Sequence, residues 1–277
     1  MCRDCGCEQG NERAYFHGHA DAHGNDHGHA HDHPHAHGHD HAHDHGNGNG
    51  LDHHREEGDD RHRIDVEMRV LAHNDHLAAH NREWLDARGV FAVNLISSPG
   101  SGKTLLLERT LERMARHVAC AVVVGDQQTD NDARRLAGKG APVRQIETKS
   151  SCHLDAERVG GVLPEVVTEG TRLLFIENVG NLVCPAAFEL GEHFKIALLS
   201  VAEGEDKPIK YPVLFSRSPV VVLTKMDLLP HLDFDMARCR RNIRTVRPDA
   251  KIFELSARTG EGMESWTDYL FELARTK

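Results

Sequence analysis

Two sets of residues in this chain are suited to chemistry: a phosphate-binding loop, and cysteines and histidines spaced for metal ligation. SSPGSGKT at 97–104 joins an apolar run, 90–96, to a helical stretch that begins near Thr104. Backbone N–H groups of Gly100, Ser101, Gly102 and Lys103 can cradle phosphates at that helix N-terminus. The Lys103 ammonium can reach β and γ oxygens, and Thr104 can offer its hydroxyl to Mg²⁺. Ser97 stands where such loops usually start with glycine, but the GSGKT core is intact. A Mg²⁺ site also needs carboxylates near the ends of neighbouring strands. Asp126 in VVVGDQQTDND and Glu177 in LLFIENVGN both follow apolar runs directly. Lys103, Thr104, Asp126 and Glu177 are therefore the expected hydrolytic set. Glu177 and Gly180 form an acid-x-x-Gly pattern whose glycine can sense a γ-phosphate, with glutamate in place of the usual aspartate.

The base is read from two later loops. TKMD at 224–227 follows the run VVVL and places Asp227 to accept hydrogen bonds from N1–H and the 2-amino group of guanine, a donor pair that adenine lacks. The Lys225 stem can pack along the base, and SARTG at 256–260 adds Ser256 and the Ala257 backbone. The order GSGKT, acid-x-x-Gly, TKMD, SAxTG points to GTP and GDP as ligands.

The metal-ligating residues lie in three places. Cys2, Cys5 and Cys7 in CRDCGC can converge on one soft or borderline divalent ion. Thirteen of the 23 histidines lie between His17 and His45, alternating with other residues from His27 onward, a pattern suited to buffering several Ni²⁺, Zn²⁺ or Cu²⁺ ions. Cys152 and His153 in SSCHLDA, together with Cys184 in GNLVCPA, can form a third site. Cys184 lies four residues after Gly180, so metal affinity there would respond to the nucleotide. His73, His76 and His80 have helical spacing but read as ordinary surface residues, and Cys120 and Cys239 as structural thiols.

The elements that must position these groups are short apolar runs, 90–96, 120–126, 172–178, 195–201 and 220–225, with weaker ones at 141–146 and 251–257, separated by helical stretches. Strand and helix in alternation predict an α/β fold of the P-loop NTPase type, a mostly parallel sheet flanked by helices, with ligands beyond the carboxyl ends of the strands. A lead-in helix before Gly89 is expected to pack through Ile64, Met68, Leu71, Leu77, Trp84 and Leu85.

Composition bounds the rest. The net charge of −10 resides in the first 60 residues; residues 61–277 carry 30 basic and 30 acidic groups, which gives no electrostatic case for nucleic acid. Residues 1–60 have little apolar surface to offset the ordering cost and are expected to be a flexible, disordered Cys/His-rich metal-binding tail, with 61–277 the GTP-binding domain. No apolar run is long enough for membrane insertion and the N-terminus lacks a signal-peptide core, so a cytoplasmic location is expected.

Taken together, CxxCGC, the histidine tract, NLISSPGSGKT, GDQQTDND, CHLDA, ENVGNLVCP, KPIKYP, TKMDLLPHLDFD and SARTGEGM closely resemble the nickel-incorporating hydrogenase and urease maturation GTPases. The resemblance covers the leader and essentially all of 61–277. It implies a slow GTPase that delivers nickel to [NiFe] hydrogenase and forms a GTP-promoted homodimer. It also implies a small HypA-like chaperone and the hydrogenase large-subunit precursor complex as partners. It puts a high-affinity nickel site on Cys2, Cys5 and Cys7 and a nickel or zinc site on Cys152, His153 and Cys184, with histidine tracts associated with storage. Relatives commonly read TGKGCHLDA where this chain has TKSSCHLDA, so glycine is replaced by Lys149. A urease-type accessory GTPase and a nickel or zinc storage protein are the alternatives; CxxCGC and CHLDA disfavour the former.

Overall fold

In the computed structural model, residues 53–126, 131–149 and 151–277 are described, with side chains from Val66 onward except Glu67. Seven strands form one sheet in the order β3-β2-β4-β1-β5-β6-β7, with every pair parallel. They are β1 (Phe91–Ser97), β2 (Cys120–Asp126), β3 (Val143–Glu147), β4 (Leu173–Glu177), β5 (Phe194–Ser200), β6 (Val220–Thr224) and β7 (Lys251–Glu254). The expected strands recur with ends moved by no more than three residues, and β2 has both ends as expected. The last is the shortest because SARTG leaves the sheet as a loop.

Alternation along the strands divides the core. Val93, Leu95, Val122, Phe175 and Leu198 face α2 (Lys103–Met114) and α9 (Met263–Arg275), packing with Leu106, Leu111, Trp266 and Leu270. On the opposite face, Ala92, Val123 and Ile176 pack with Val159 and Leu163 of α4 (Ala156–Val166). Farther along that face, Ile96, Ala197 and Leu199 pack with Leu214 and Phe215 of α7 (Pro212–Arg217) and Ile243 of α8 (Met236–Val246). Each fully buried Val, Leu, Ile or Phe among these contributes on the order of 1.5–3 kcal/mol. Asn94 lies between Ala92 and Ile96 on the second face and is completely buried, so a polar seam separates the two apolar clusters there.

The lead-in helix, α1 (His53–Asp86), is present and packs through Leu85 and Trp84 as its apolar spacing predicted, but not through the rest of that set. Its buried face is Asn74, Ala78, Asn81 and Leu85, while Met68 is exposed and Leu71, Leu77 and Trp84 are half-buried. The asparagines dock the helix by hydrogen bonds to loop backbone. Asn74 donates to the Glu189 carbonyl (2.8 Å) and accepts from the Ala156 N–H (2.9 Å); Asn81 donates to the carbonyls of Ala156 (2.7 Å) and Leu190 (3.0 Å). Close approach is required: a Cβ on Gly191 would lie 2.5 Å from that of Asn81. Ile64 belongs to the part of α1 whose side chains are not described. No described helix is long and apolar enough to cross a membrane.

Candidate functional site

All the expected nucleotide-site residues lie at the carboxyl edge of the sheet. The loop after β1 enters α2 through Gly102, whose φ of 98° is a left-handed conformation suited to glycine. Gly100, Gly102, Lys103, Thr104, Asp126, Glu177 and Gly180 line a cavity of about 500 Å³ with Asp132 and Arg135 of α3 (Asn131–Leu136). Thr104 Oγ1 donates to Glu177 Oε1 (2.7 Å), so the Mg²⁺-ligand candidates from β4 and α2 are already in contact. Glu177 Oε2 is buried without a hydrogen-bond partner among the described residues. Burial pushes the Glu177 carboxyl up to about 7, opposed by the Lys103 charge and the Thr104 hydrogen bond. Lys103 is itself buried, which lowers its pKa against the pull of Glu177.

Ser97, which read as a departure from the usual loop, is a working part of it. Lys103 Nζ donates to Ser97 Oγ (2.8 Å), Ser101 Oγ also donates to it, and Ser97 Oγ donates to the Ser98 carbonyl (2.7 Å). The buried ammonium thus has a neutral hydroxyl as its partner. The TKxD loop touches the same structure: Lys225, left-handed at φ 60°, donates from Nζ to the Gly100 carbonyl (2.6 Å), and Thr224 Oγ1 donates to the Ser101 carbonyl (2.7 Å). A second cavity, of about 270 Å³, is lined by Ser101, Gly102, Lys225, Asp227, Ser256 and Ala257 among others. There Ser256 Oγ donates to Asp227 Oδ1 (2.6 Å), joining the two predicted base loops.

The third predicted metal site also assembles. Ligand atoms of Cys152, His153 and Cys184 lie within 4.8 Å of one another, the group of at least three such residues that among the described residues meets this spacing. Cys184 is 4% exposed and begins the short helix α5 (Cys184–Ala187); Cys152 and His153 are half-buried on the loop before α4. The His153 ring lies on Phe188 with centroids 3.9 Å apart, and burial lowers its pKa, which favours the neutral imidazole that binds metals. Phe188 was not anticipated; its signal was its place four residues after Cys184. Cys120 and Cys239 are buried and pushed up to about 12, which makes both poor thiolate ligands. His73, His76 and His80 are exposed. Cys2, Cys5, Cys7 and the histidine tract lie outside the described residues.

Two contacts connect the nucleotide and metal sites. Gly180 sits against the phosphate loop so closely that a Cβ would come 2.9 Å from Pro99 Cα. The Asp126 carbonyl accepts from the Thr148 N–H (2.9 Å), where the loop to Cys152 begins.

Sequence comparison places this arrangement. The model of the "CobW/HypB/UreG, nucleotide-binding domain" matches residues 91–254. The hydrogenase maturation factor HypB of Azotobacter chroococcum mcd 1 is 52% identical over 207 residues, covering 75% of this chain and 68% of the relative. That of Escherichia coli K12 is 50% identical over 207 residues, covering 75% and 71%. The chain belongs to the HypB group of the CobW/HypB/UreG family. The crystal structure of HypB from Helicobacter pylori in complex with nickel superposes with a TM-score of 0.69 at 38% identity, covering 73% of this chain and 95% of that one. The chain shares with that structure an all-parallel sheet flanked by helices, the P-loop NTPase fold.

Proposed function

We propose that this HypB-family chain is a GTP-hydrolysing nickel metallochaperone of [NiFe] hydrogenase maturation. The observation that carries the reading is one segment, Glu177 to Cys184, that lines the phosphate cavity at Glu177 and Gly180 and supplies a thiol to the metal triad. The comparison with a nickel-bound HypB supports nickel as cargo. Zn²⁺ is a second ion suited to two thiolates and an imidazole.

Thr104, Glu177 and Asp126 fit a Mg²⁺ site: a hydroxyl and a carboxylate in contact, a second carboxylate oxygen buried without a partner, and another carboxylate on the same cavity. Bound there, Mg²⁺ supplies charge neutralisation for the β- and γ-phosphate oxygens. The chain's own residues do the remaining work. The loop N–H groups hold the phosphates, and Lys103 exchanges Ser97 Oγ for phosphate oxygen. Glu177, whose carboxyl burial pushes up to about 7 in the nucleotide-free protein, would release that proton to solvent in order to serve as a ligand. Asp227 exchanges Ser256 for the guanine N1–H and 2-amino donors.

Residues 1–60 act in this scheme as the metal-binding tail: Cys2, Cys5 and Cys7 hold nickel tightly and the histidine tract stores it, ahead of a GTP-binding domain spanning 61–277. The working form is a GTP-promoted homodimer in the cytoplasm. It exchanges nickel with a HypA-like chaperone and the hydrogenase large-subunit precursor complex, with no nucleic-acid or membrane partner.

The test is steady-state GTP turnover and guanine selectivity in the intact chain. Turnover is expected above the Lys103→Ala background, and Asp227→Asn is expected to weaken GTP binding by roughly 10-fold or more, on the scale of one lost hydrogen bond to a charged group. Turnover no higher than the Lys103→Ala background would leave a storage protein, and unchanged GTP affinity in Asp227→Asn would remove the base assignment.

A further inference from the structure

The polar seam beside Asn94 leads directly to both sites. Lys195, 2% exposed, lies 3.0 Å from Glu192 Oε1 and also pairs with Glu189. Asn94 Nδ2 donates to Glu192 Oε1 (3.0 Å), and Asn178 Nδ2 donates to Asn94 Oδ1 (3.2 Å). Asn178 Oδ1 then accepts two backbone N–H groups, from Leu154 (3.3 Å) and Val179 (3.0 Å). Leu154 follows His153 of the metal triad, and Val179 precedes Gly180 of the phosphate cavity.

The orientation of every amide in this series is fixed by chemistry. Glu192 beside Lys195 is an ionised acceptor, so Asn94 must turn its NH₂ toward it and its oxygen toward Asn178. Asn178 must then present its own NH₂ to Asn94, which leaves its oxygen for the two loops. Asn178 and Asn94 are 1% and 0% exposed, so water cannot substitute for either. Leu154 is held from its other side as well: its side chain sits over Gly125, where a Cβ would come 2.7 Å from Leu154 Cγ.

We infer that the Asn178 carboxamide is a positioning residue through which the nucleotide site at Gly180 and the metal triad at Cys152, His153 and Cys184 act on one another. One oxygen anchors the residue next to each site, so a shift of the Gly180 segment on binding a γ-phosphate changes the hold on Leu154, and a shift of the metal loop changes the hold on Val179. Coupling of this kind is reciprocal: whatever nickel does to nucleotide preference, nucleotide does to nickel affinity. This inference rests on the proposed GTP and nickel binding.

The test uses the full chain with Mg²⁺ saturating throughout. Affinities for GDP and for a non-hydrolysable GTP analogue are measured with and without saturating Ni²⁺. In the unaltered protein, Ni²⁺ is expected to change the ratio of the two affinities by at least about five-fold, the low end of ordinary coupling between sites, and Cys184→Ala is expected to abolish that change. Asn178→Ala should bring the change below about two-fold, within the scatter of independent sites, while nucleotide and nickel still bind. A merely structural role would weaken binding and leave the nickel-dependent ratio in place.

Should Asn178→Ala fail to fold, a second pair of variants decides. Asn178→Ser keeps, at shorter reach, a hydroxyl that can accept from the loops and donate to the Asn94 oxygen, whereas Asn178→Asp keeps the acceptor for both loops but sets a carboxylate against the Asn94 oxygen. Asn178→Ser should keep more of the nickel-dependent ratio than Asn178→Asp. An unchanged ratio in Asn178→Ala, an Asn178→Asp ratio as large as that of Asn178→Ser, or a ratio insensitive to nickel in the unaltered chain overturns the inference. Failure to bind nucleotide or nickel at all instead overturns the proposed function.

Discussion

The nucleotide end and the metal end of this molecule are prepared for their ligands in opposite ways. At the nucleotide end, the groups assigned to the ligand are already bonded to one another: Lys103 to Ser97, Thr104 to Glu177, Lys225 to Gly100 and Ser256 to Asp227. They stand on strand ends, on the loops that directly follow β1, β6 and β7, and on the first turn of α2, so binding is an exchange of partners. At the metal end, two ligands sit on a loop and one on the segment that follows Gly180, brought together mainly by packing. Charge and hydrogen bonding hold the first site, whereas backbone placement holds the second. Nucleotide should therefore move the metal site more readily than metal moves the nucleotide pocket's geometry, even though the coupling free energy between them is shared.

The strongest way to break this contrast is to remove one key side chain at each end. Lys103→Ala should lower GTP turnover by about 100-fold or more, the usual scale for losing a charge that stabilises the transferring phosphoryl group. Because its partners are all at the nucleotide end, it should leave nickel binding at the triad unchanged in the nucleotide-free protein. Cys184→Ala should weaken metal binding at the triad by about 10–100-fold, on the scale of a disturbed ligand set, and leave GDP affinity unchanged. Turnover assays and metal competition against a chromophoric chelator check both. Loss of triad metal binding in nucleotide-free Lys103→Ala would mean that the two ends share one rigid framework.

The pH response sharpens the same comparison. Glu177 is pushed up to about 7 by burial in the nucleotide-free protein, against an ordinary value of 4.5. The folded state therefore holds this proton over a range where the unfolded chain has lost it, so this group's contribution makes stability fall as pH rises from about 4.5 to about 7. Mg²⁺ ligation requires the carboxylate, so affinity for Mg²⁺ with GTP should rise by several-fold to about ten-fold from pH 6 to pH 8, one pKa unit being a factor of ten. In Glu177→Gln the rise should shrink and stability at pH 8 should increase. The same pH slope in both proteins would remove Glu177 from the site.

The sheet was legible in the sequence because buried parallel strands need uninterrupted apolar runs, and CAVVVGD, RLLFIEN and VVVLT supply them between glycine- and charge-rich loops. That the residues proposed for the phosphates, the base and the metal would come together was legible because rare residue types stand at fixed places after those strands. What sequence periodicity misassigned was part of the face of α1, where Asn74 and Asn81 are buried beside Ala78 and Leu85. Amide hydrogen bonds to a neighbouring loop leave no periodic apolar mark. The roles of Ser97 and Asn178 were hidden for the same reason: each depends on partners distant in sequence or on a bond that forms only in the fold.

Lys149 gives the smallest and most local test of the contrast. It takes φ 53°, a left-handed conformation, in a turn closed by the Ser151 N–H on the Thr148 carbonyl (2.9 Å), one residue before Cys152. A positive φ of this kind is the conformation that glycine adopts without strain. A non-glycine residue there costs about 1–2 kcal/mol, and glycine returns part of that through the greater freedom of the unfolded chain, about 0.5–1 kcal/mol. Lys149→Gly is therefore expected to raise stability by a net ~0.5–1 kcal/mol, read as a higher denaturant midpoint at unchanged slope. Because the turn leads into Cys152 and the nucleotide pocket lies beyond Asp126, triad metal affinity should change with it and GDP affinity should not. An unchanged or lowered midpoint would show that contacts of the lysine side chain, and not the backbone conformation, decide the stability of this loop.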